Sequence, residues 1–279
     1  MCIRDRCRRF SNNRKLVNSR SAVHRGRRAR STRGVSVMAD IQKSIDKFMQ
    51  MVSKEIYSEP DTQLHTTLID RLIPDLFNRP DGPKPGDKIV DIGCGSGYVF
   101  DKLVELGCKK EDMTGVTMGE DDFKAVKEKG YDCFSYDMSF TDFKDNTFDF
   151  GIVRHCLEHS VWPYLTLMEF NRIMKIGGSM YIEMPAPGGD RKLEHWPNHY
   201  SVMGQTMWGS LMIRSGFSYV SNILPLELDV PNDETKKIKE PYHWYMIKKM
   251  VDRSDYKPAT NDYMRWLTAQ VQPQKDTTK

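Results

Sequence analysis

The chain has 279 residues, 39% of them hydrophobic, which is enough to bury a core of ordinary size and most simply makes one domain with additions. Its six cysteines, Cys2, Cys7, Cys94, Cys108, Cys133 and Cys156, include no C-x-x-C pair, and no apolar run approaches the roughly 18 residues that cross a bilayer; a disulfide framework and membrane insertion are therefore not expected, and a reduced, cytoplasmic chain is. The net charge of +4 is unevenly spread: residues 1–37 carry twelve Lys or Arg against one acid, Asp5, which leaves −7 on the remainder.

A tail so rich in Arg and Ser reads as an organellar transit peptide or a nucleic-acid-binding arm, or else as a disordered or artefactual segment that cannot bury a core. Met38-Ala39-Asp40 is a plausible start, and Met1 to Arg6 resembles translated adaptor sequence at the ends of metagenomic assemblies. No function is assigned to residues 1–37.

From Met38 the pattern is helical, with Ile41, Ile45, Phe48, Met49, Val52 and Ile56 on one face. A second helix is predicted from an Asp61 N-cap, with Leu64, Leu68 and Leu72 on one side, ended or bent by Pro74. These helices form a cap over residues 38–84. Prolines and glycines between Arg79 and Asp87 make a loop that leads into the main sheet.

The next stretch constrains chemistry most. Ile89, Val90 and Ile92 suit a buried parallel strand, Gly93, Gly95 and Gly97 follow where it must end, and Tyr98 to Leu106 is helical. Such a turn removes the Cβ atoms that would hold a ligand off the backbone, and the helix start offers N–H donors. The spacing is not the dinucleotide G-x-G-x-x-G, since Tyr98 stands in the third glycine's place. Asp91-Ile92-Gly93-Cys94-Gly95-Ser96-Gly97 instead resembles the first motif of class I S-adenosylmethionine-dependent methyltransferases of the small-molecule type. The resemblance implies an α/β fold, a seven-stranded, mostly parallel, doubly wound sheet of Rossmann-like form with N-terminal helices, over residues 85–250, with a C-terminal extension at 251–279. It implies S-adenosyl-L-methionine as cofactor, with Asp91 near its amino group and Gly93, Cys94, Gly95 and Gly97 against its amino-acid part. Cys94 itself reads as a small buried residue before a reactive thiol.

A second strand, Met113 to Thr117, follows. Many relatives carry there an acid that holds the ribose; Thr117-Met118 departs from this, as does the cyclopropane fatty acid synthase branch. Glu120 or Asp122 are substitutes for it, or simply charges at a helix start. Helix 121–129 leads to a third strand, Cys133 to Tyr136, and to Asp137-Met138, which matches the family position beside the adenine. Asp145 to Val153 resembles the family's turn into strand four.

Strand four runs into Arg154-His155-Cys156-Leu157-Glu158-His159. His155 to His159 fits H-x-x-E-H, a zinc pattern, but it follows a buried strand directly and Trp162-Pro163 delays the next helix, so no metal is expected. It resembles the Leu-Glu-His signature beside the transferred methyl group, with Arg154 among the cofactor contacts. A helix after Pro163 closes at Lys175-Ile176-Gly177-Gly178, and Ser179 to Met184 is the fifth strand. The polar loop through His195, Trp196, Asn198, His199 and Tyr200 faces the substrate or serves as a packed lid. A helix over 203–215 and strands around 219–224 and 243–250 complete the sheet.

The expected activity is methyl transfer to a small-molecule or lipid-like acceptor, with His155, His159 or His199 as base for a hydroxyl. A body of charge −7 without an RNA-binding module argues against nucleic acid. Protein or RNA methylation, if the basic tail is retained, and a scaffold without turnover are the alternatives.

Overall fold

The computed structural model describes residues 40–55, 63–230 and 233–254. The basic tail, the Asp61 cap and the terminal segment 256–279 lie outside them. The chain divides into two units, residues 1–54 and residues 55–279. In the first, residues 40–52 form helix α1, in which Ile41 and Phe48 are exposed.

The second unit contains α2 (Gln63–Asn78), β1 (Ile89–Ile92), α3 (Tyr98–Glu105), β2 (Met113–Val116), α4 (Glu120–Glu128), β3 (Asp132–Phe134), β4 (Phe148–Arg154), α5 (Pro163–Ile173), β5 (Met174–Pro185), α6 (Gln205–Arg214), β6 (Phe217–Val230) and β7 (Asp233–Lys249). The strands form one seven-stranded sheet in the order β3-β2-β1-β4-β5-β7-β6, parallel except for β7, which is antiparallel to both neighbours. The expected mostly parallel, doubly wound sheet is the one found.

Alternation along each strand explains the two layers. Val90, Ile92 and Val153 point into a core with Leu167 and Phe170 of α5 and Trp208 and Met212 of α6. Their neighbours Ile89 and Ile152 point the other way, into a core with Ile69 and Ile73 of α2, Phe100 and Leu103 of α3 and Val126 of α4. A strand buried on both faces needs apolar residues at consecutive positions, which is why β1 reads Ile-Val-Asp-Ile with only Asp91 polar.

Several boundaries differ from the sequence reading. α2 runs through Pro74 to Asn78, and its buried stripe is Ile69, Ile73 and Leu76, while Leu68 and Leu72 are half-buried. Packing of that stripe on α3 outweighs the backbone hydrogen bond that a proline cannot donate. β5 begins at Met174, and its register against β4 shifts from Phe148↔Met174 to Phe150↔Ser179, so the Lys175–Gly178 turn becomes a bulge inside the strand. β6 and β7 are far longer than 219–224 and 243–250. Pro225 sits directly opposite Pro241 on the hairpin they form. Prolines read as strand breakers, but β6 is an edge strand, where the loss of a ladder donor is tolerated.

The chain order reverses between β1 and β4. Loops after these two strands diverge to opposite sides and leave a crevice at the carboxyl edge of the sheet. No helix among the described residues is long and apolar enough to cross a membrane.

Candidate functional site

The glycine turn after β1 opens on that crevice edge. After β1, Gly93, Gly95 and Gly97 all have positive φ (78°, 50° and 80°). Their reasons for being glycine differ. A Cβ on Gly93 would lie 2.7 Å from Cβ and 2.8 Å from Sγ of Cys156, so this glycine lets the β1 and β4 loops touch. A Cβ on Gly95 would meet nothing within 4 Å, so the backbone there faces open space. The expectation of exposed amide donors is corrected in part: the N–H groups of Gly93 and Cys94 both donate to the Val116 carbonyl, at 2.8 and 3.2 Å, and that of Gly97 donates to the Cys94 carbonyl at 2.9 Å. The turn supplies room more than donors. The Cys94 side chain is buried in the core beneath it, and its thiol is pushed up by contact with Cys133 and by burial, as suits a packing residue.

Asp91 is 2% exposed at the end of β1. Burial pushes its carboxyl up to about 7, against the pull of the Arg154 guanidinium. Just past β2, the Thr117 hydroxyl accepts the Gly119 N–H at 3.1 Å and closes the turn that precedes α4, while Met118 is exposed. Glu120 points to solvent in an ion pair with Lys124 at 2.7 Å. The Asp137 carboxylate closes a turn by accepting the Ser139 N–H at 2.7 Å, and the Met138 sulfur lies 3.8 Å from the Cys156 thiol. Burial pushes that thiol up as well.

A group that motif reading missed joins β4 to β5. Arg154 and Glu183 are register partners at the ends of the two strands. Glu183 accepts from Arg154 Nη2 at 2.9 Å, from His155 Nε2 at 2.9 Å and from the Tyr181 hydroxyl at 2.6 Å. Burial alone would raise this carboxyl, but Arg154 together with the His155 and Tyr181 hydrogen bonds outweighs it and holds Glu183 well below the usual carboxylate range. An ionised Glu183 can only accept, so the His155 ring must donate from Nε2. His155 has φ of 47°, in the left-handed region, and its ring stacks on His65 at 5.6 Å and meets Tyr242 edge-on at 5.0 Å. The available signal was Glu183 itself, a lone acid in the apolar run Tyr181-Ile182-Glu183-Met184.

The other two histidines lie elsewhere. His159, on the short turn Leu157–His159, and His199, on the loop after β5, meet edge to face at 4.8 Å between ring centres. Each has Nδ1 against a backbone carbonyl, Asn198 at 2.9 Å and Leu193 at 2.8 Å respectively. A carbonyl can only accept, so both rings carry hydrogen on Nδ1 and, when neutral, keep the Nε2 lone pair. The loop is held to this turn by Ser201, whose N–H donates to the Glu158 carbonyl at 2.9 Å. On its other side Arg191 donates to the Tyr242 hydroxyl at 2.7 Å and its N–H donates to Glu240 at 2.7 Å. The residues past Pro185 are therefore an ordered loop tied to the 157–159 turn and to the unexpectedly long β7.

A profile of the methyltransferase-domain family matches residues 61–222, more than half of the chain. The chain belongs to this family. As a methyltransferase-family chain it is 25% identical over 146 residues to the ubiquinone/menaquinone biosynthesis C-methyltransferase UbiE of Teredinibacter turnerae, covering 50% of this chain and 59% of that protein. It is also 25% identical over 153 residues to the ubiquinone biosynthesis O-methyltransferase of Nitrosococcus oceani, covering 52% and 60%. The match thus spans about 60% of the length of these curated relatives. The [4+2]-cyclase SpnF shares the fold, with a TM-score of 0.53 at 16% identity over 70% of this chain and 87% of that one. S-adenosyl-L-methionine is the cofactor of this methyltransferase family. The backbone at Gly95, with nothing within 4 Å of an added Cβ, leaves room that would admit its amino-acid end, and buried Asp91 is a carboxyl suited to its ammonium group.

Proposed function

We propose that this methyltransferase-family chain transfers a methyl group from S-adenosyl-L-methionine to a small-molecule or lipid-like acceptor. The observation that carries the reading is the open turn at Gly95 beside buried Asp91, at the reversal point of the sheet. When bound, the cofactor supplies an electrophilic methyl group on sulfur. Asp91 would hold its ammonium end, with Gly93, Cys94, Gly95 and Gly97 against its amino-acid part and Arg154 behind Asp91. Thr117 and Met118 would face the ribose and adenine from β2, and Asp137 and Met138 the adenine from β3. The protein's share is alignment and exclusion of water, since the reactive group belongs to the cofactor.

For a hydroxyl acceptor a base is also needed. His159 and His199 suit it better than His155, because their Nδ1 hydrogens are fixed on carbonyls and Nε2 can take a proton, whereas His155 donates Nε2 to Glu183. The two curated relatives are named for methyl transfer to carbon and to oxygen in quinone biosynthesis, which supports an aromatic, lipid-like acceptor and leaves both acceptor atoms open. The cyclase with the same fold is the reason to measure binding and turnover separately.

Calorimetric titration with S-adenosyl-L-methionine and S-adenosylhomocysteine, followed by incubation of cell extract with methyl-labelled cofactor, tests the proposal. Binding with a labelled product supports it. Binding without product identifies a scaffold, and no binding removes the reading. Gly95→Ala separates site from fold: with no neighbour to strike, its left-handed φ of 50° costs about 1–2 kcal/mol of stability. The added methyl would stand where the cofactor lies, so affinity for S-adenosylhomocysteine should fall at least about fivefold. Affinity equal to the native chain's would count against cofactor placement at this turn.

A further inference from the structure

A second group of side chains lies where the loop after β5 meets the 157–159 turn, apart from the glycine turn. Glu158, His159 and His199 each offer one ligand atom, and the three atoms lie within 4.8 Å of one another. The H-x-x-E-H reading of the sequence would have used His155, Glu158 and His159. Instead the fold turns His155 toward Glu183 and brings in His199 from forty residues further on. From the combination we infer a binding site for a divalent transition-metal ion, held by Glu158, His159 and His199.

Three features support it. Two imidazoles and one carboxylate are the donor set of open zinc sites, in which three protein ligands leave a further position for a small ligand. Both histidines donate Nδ1–H to backbone carbonyls, the arrangement that fixes the tautomer and orientation of a metal-binding ring. Glu158 is 2% exposed and its Oε1 lies 3.9 Å from Nδ1 of His155, so the carboxylate sits among imidazole rings away from water. Metal bonds of about 2.1 Å place tetrahedral ligands about 3.4 Å apart, so closing from 4.8 Å needs only modest side-chain rotation.

With the ion bound, the Nε2 atoms of His159 and His199 no longer accept a proton; the position left on the ion would instead take an oxygen of the acceptor and so orient it toward the crevice. That role rests on the methyl-transfer reading; metal binding does not. The acceptor class it selects carries a hydroxyl or carbonyl oxygen beside or at the methylated atom.

The test uses the full chain, stripped with a chelator and titrated separately with Zn²⁺, Mn²⁺ and Mg²⁺ by calorimetry, with bound metal counted by elemental analysis. Zn²⁺ should bind at one equivalent, more tightly than Mg²⁺, and binding should weaken at least about tenfold in His199→Ala and in Glu158→Gln, which keeps the shape of the side chain. S-adenosylhomocysteine affinity of these variants, measured alongside, should stay within about threefold of native, which also reports that they are folded. If the native chain takes up no Zn²⁺, or if uptake is unchanged in both variants and so belongs to the thiols, the site does not exist. Neither result depends on whether methyl transfer occurs.

Discussion

Glu183→Gln is expected to lower the melting temperature by roughly 6–20 °C, corresponding to a loss of about 3–5 kcal/mol in a domain of this size. The Arg154 and Glu183 side chains are 8% and 6% exposed, and the carboxylate satisfies Arg154, His155 and Tyr181 at once. An amide has one acceptor oxygen, turns donor hydrogens toward groups that are themselves donors, and leaves a buried guanidinium without a counter-charge. The pH dependence follows from the lowered carboxyl. Glu183 stays ionised in the folded chain at pH values where the unfolded chain has already taken up its proton. Its contribution is therefore present above the ordinary glutamate value and is lost as pH falls toward the depressed folded value. Melting curves recorded from pH 7 down to pH 3 should show the native advantage over Glu183→Gln shrinking at the acid end. A variant that melts within about 2 °C of the native chain at pH 7 would mean that the Arg154 cluster holds little.

Asp91→Asn should separate binding from stability, with opposite signs. Under the proposed function Asp91 presents a charge to the cofactor's ammonium group, and loss of a charge-assisted hydrogen bond is worth about 1.5–3 kcal/mol, or roughly 10- to 150-fold in affinity. The same carboxyl is a burden in the free protein. Burial moves it from 3.8 up to about 7, so holding it ionised above that pH costs on the order of 4 kcal/mol at most. The sign is that of a raised carboxyl: between the two values the folded chain binds the proton and the unfolded chain does not, so native stability declines as pH rises to about 7 and stays reduced beyond. Asparagine has no charge to hold. Asp91→Asn should melt above the native chain at pH 8 and level with it near pH 4, while binding S-adenosylhomocysteine far more weakly at pH 8. For the native chain, affinity should rise with pH up to about 7 and then flatten. Equal affinity in the two proteins at pH 8 would take Asp91 out of the cofactor site.

Much of the fold was legible because it is written in local patterns. The apolar run Ile89 to Ile92 marked β1, closely spaced glycines marked where it had to end, a family-like turn marked the entry to β4, and Pro163 marked the start of α5. The errors fell where distant packing overrides local preference. α2 continues past Pro74 because its stripe is covered by α3, and β6 extends through Pro225 because an edge strand can accept it, while Pro241 of β7 lies just beyond the residues that pair with β5. The site divides in the same way. Asp91 and the glycines were visible as one motif. Glu183 and its contacts with Arg154, His155 and Tyr181 were not, because a lone acid in a strand looks like a fault until the strand beside it is known.

The amino-acid order alone determined the strand, glycine turn and helix around Asp91, since conformational demands on a turn act over a few residues and leave a readable spacing. Only the tertiary structure decided which charges meet. Parallel register sets Arg154 beside Glu183, and a loop pinned to β7 carries His199 to His159 and Glu158. Contacts between segments depend on how sheets and loops pack, and no local pattern encodes the distance between positions 159 and 199.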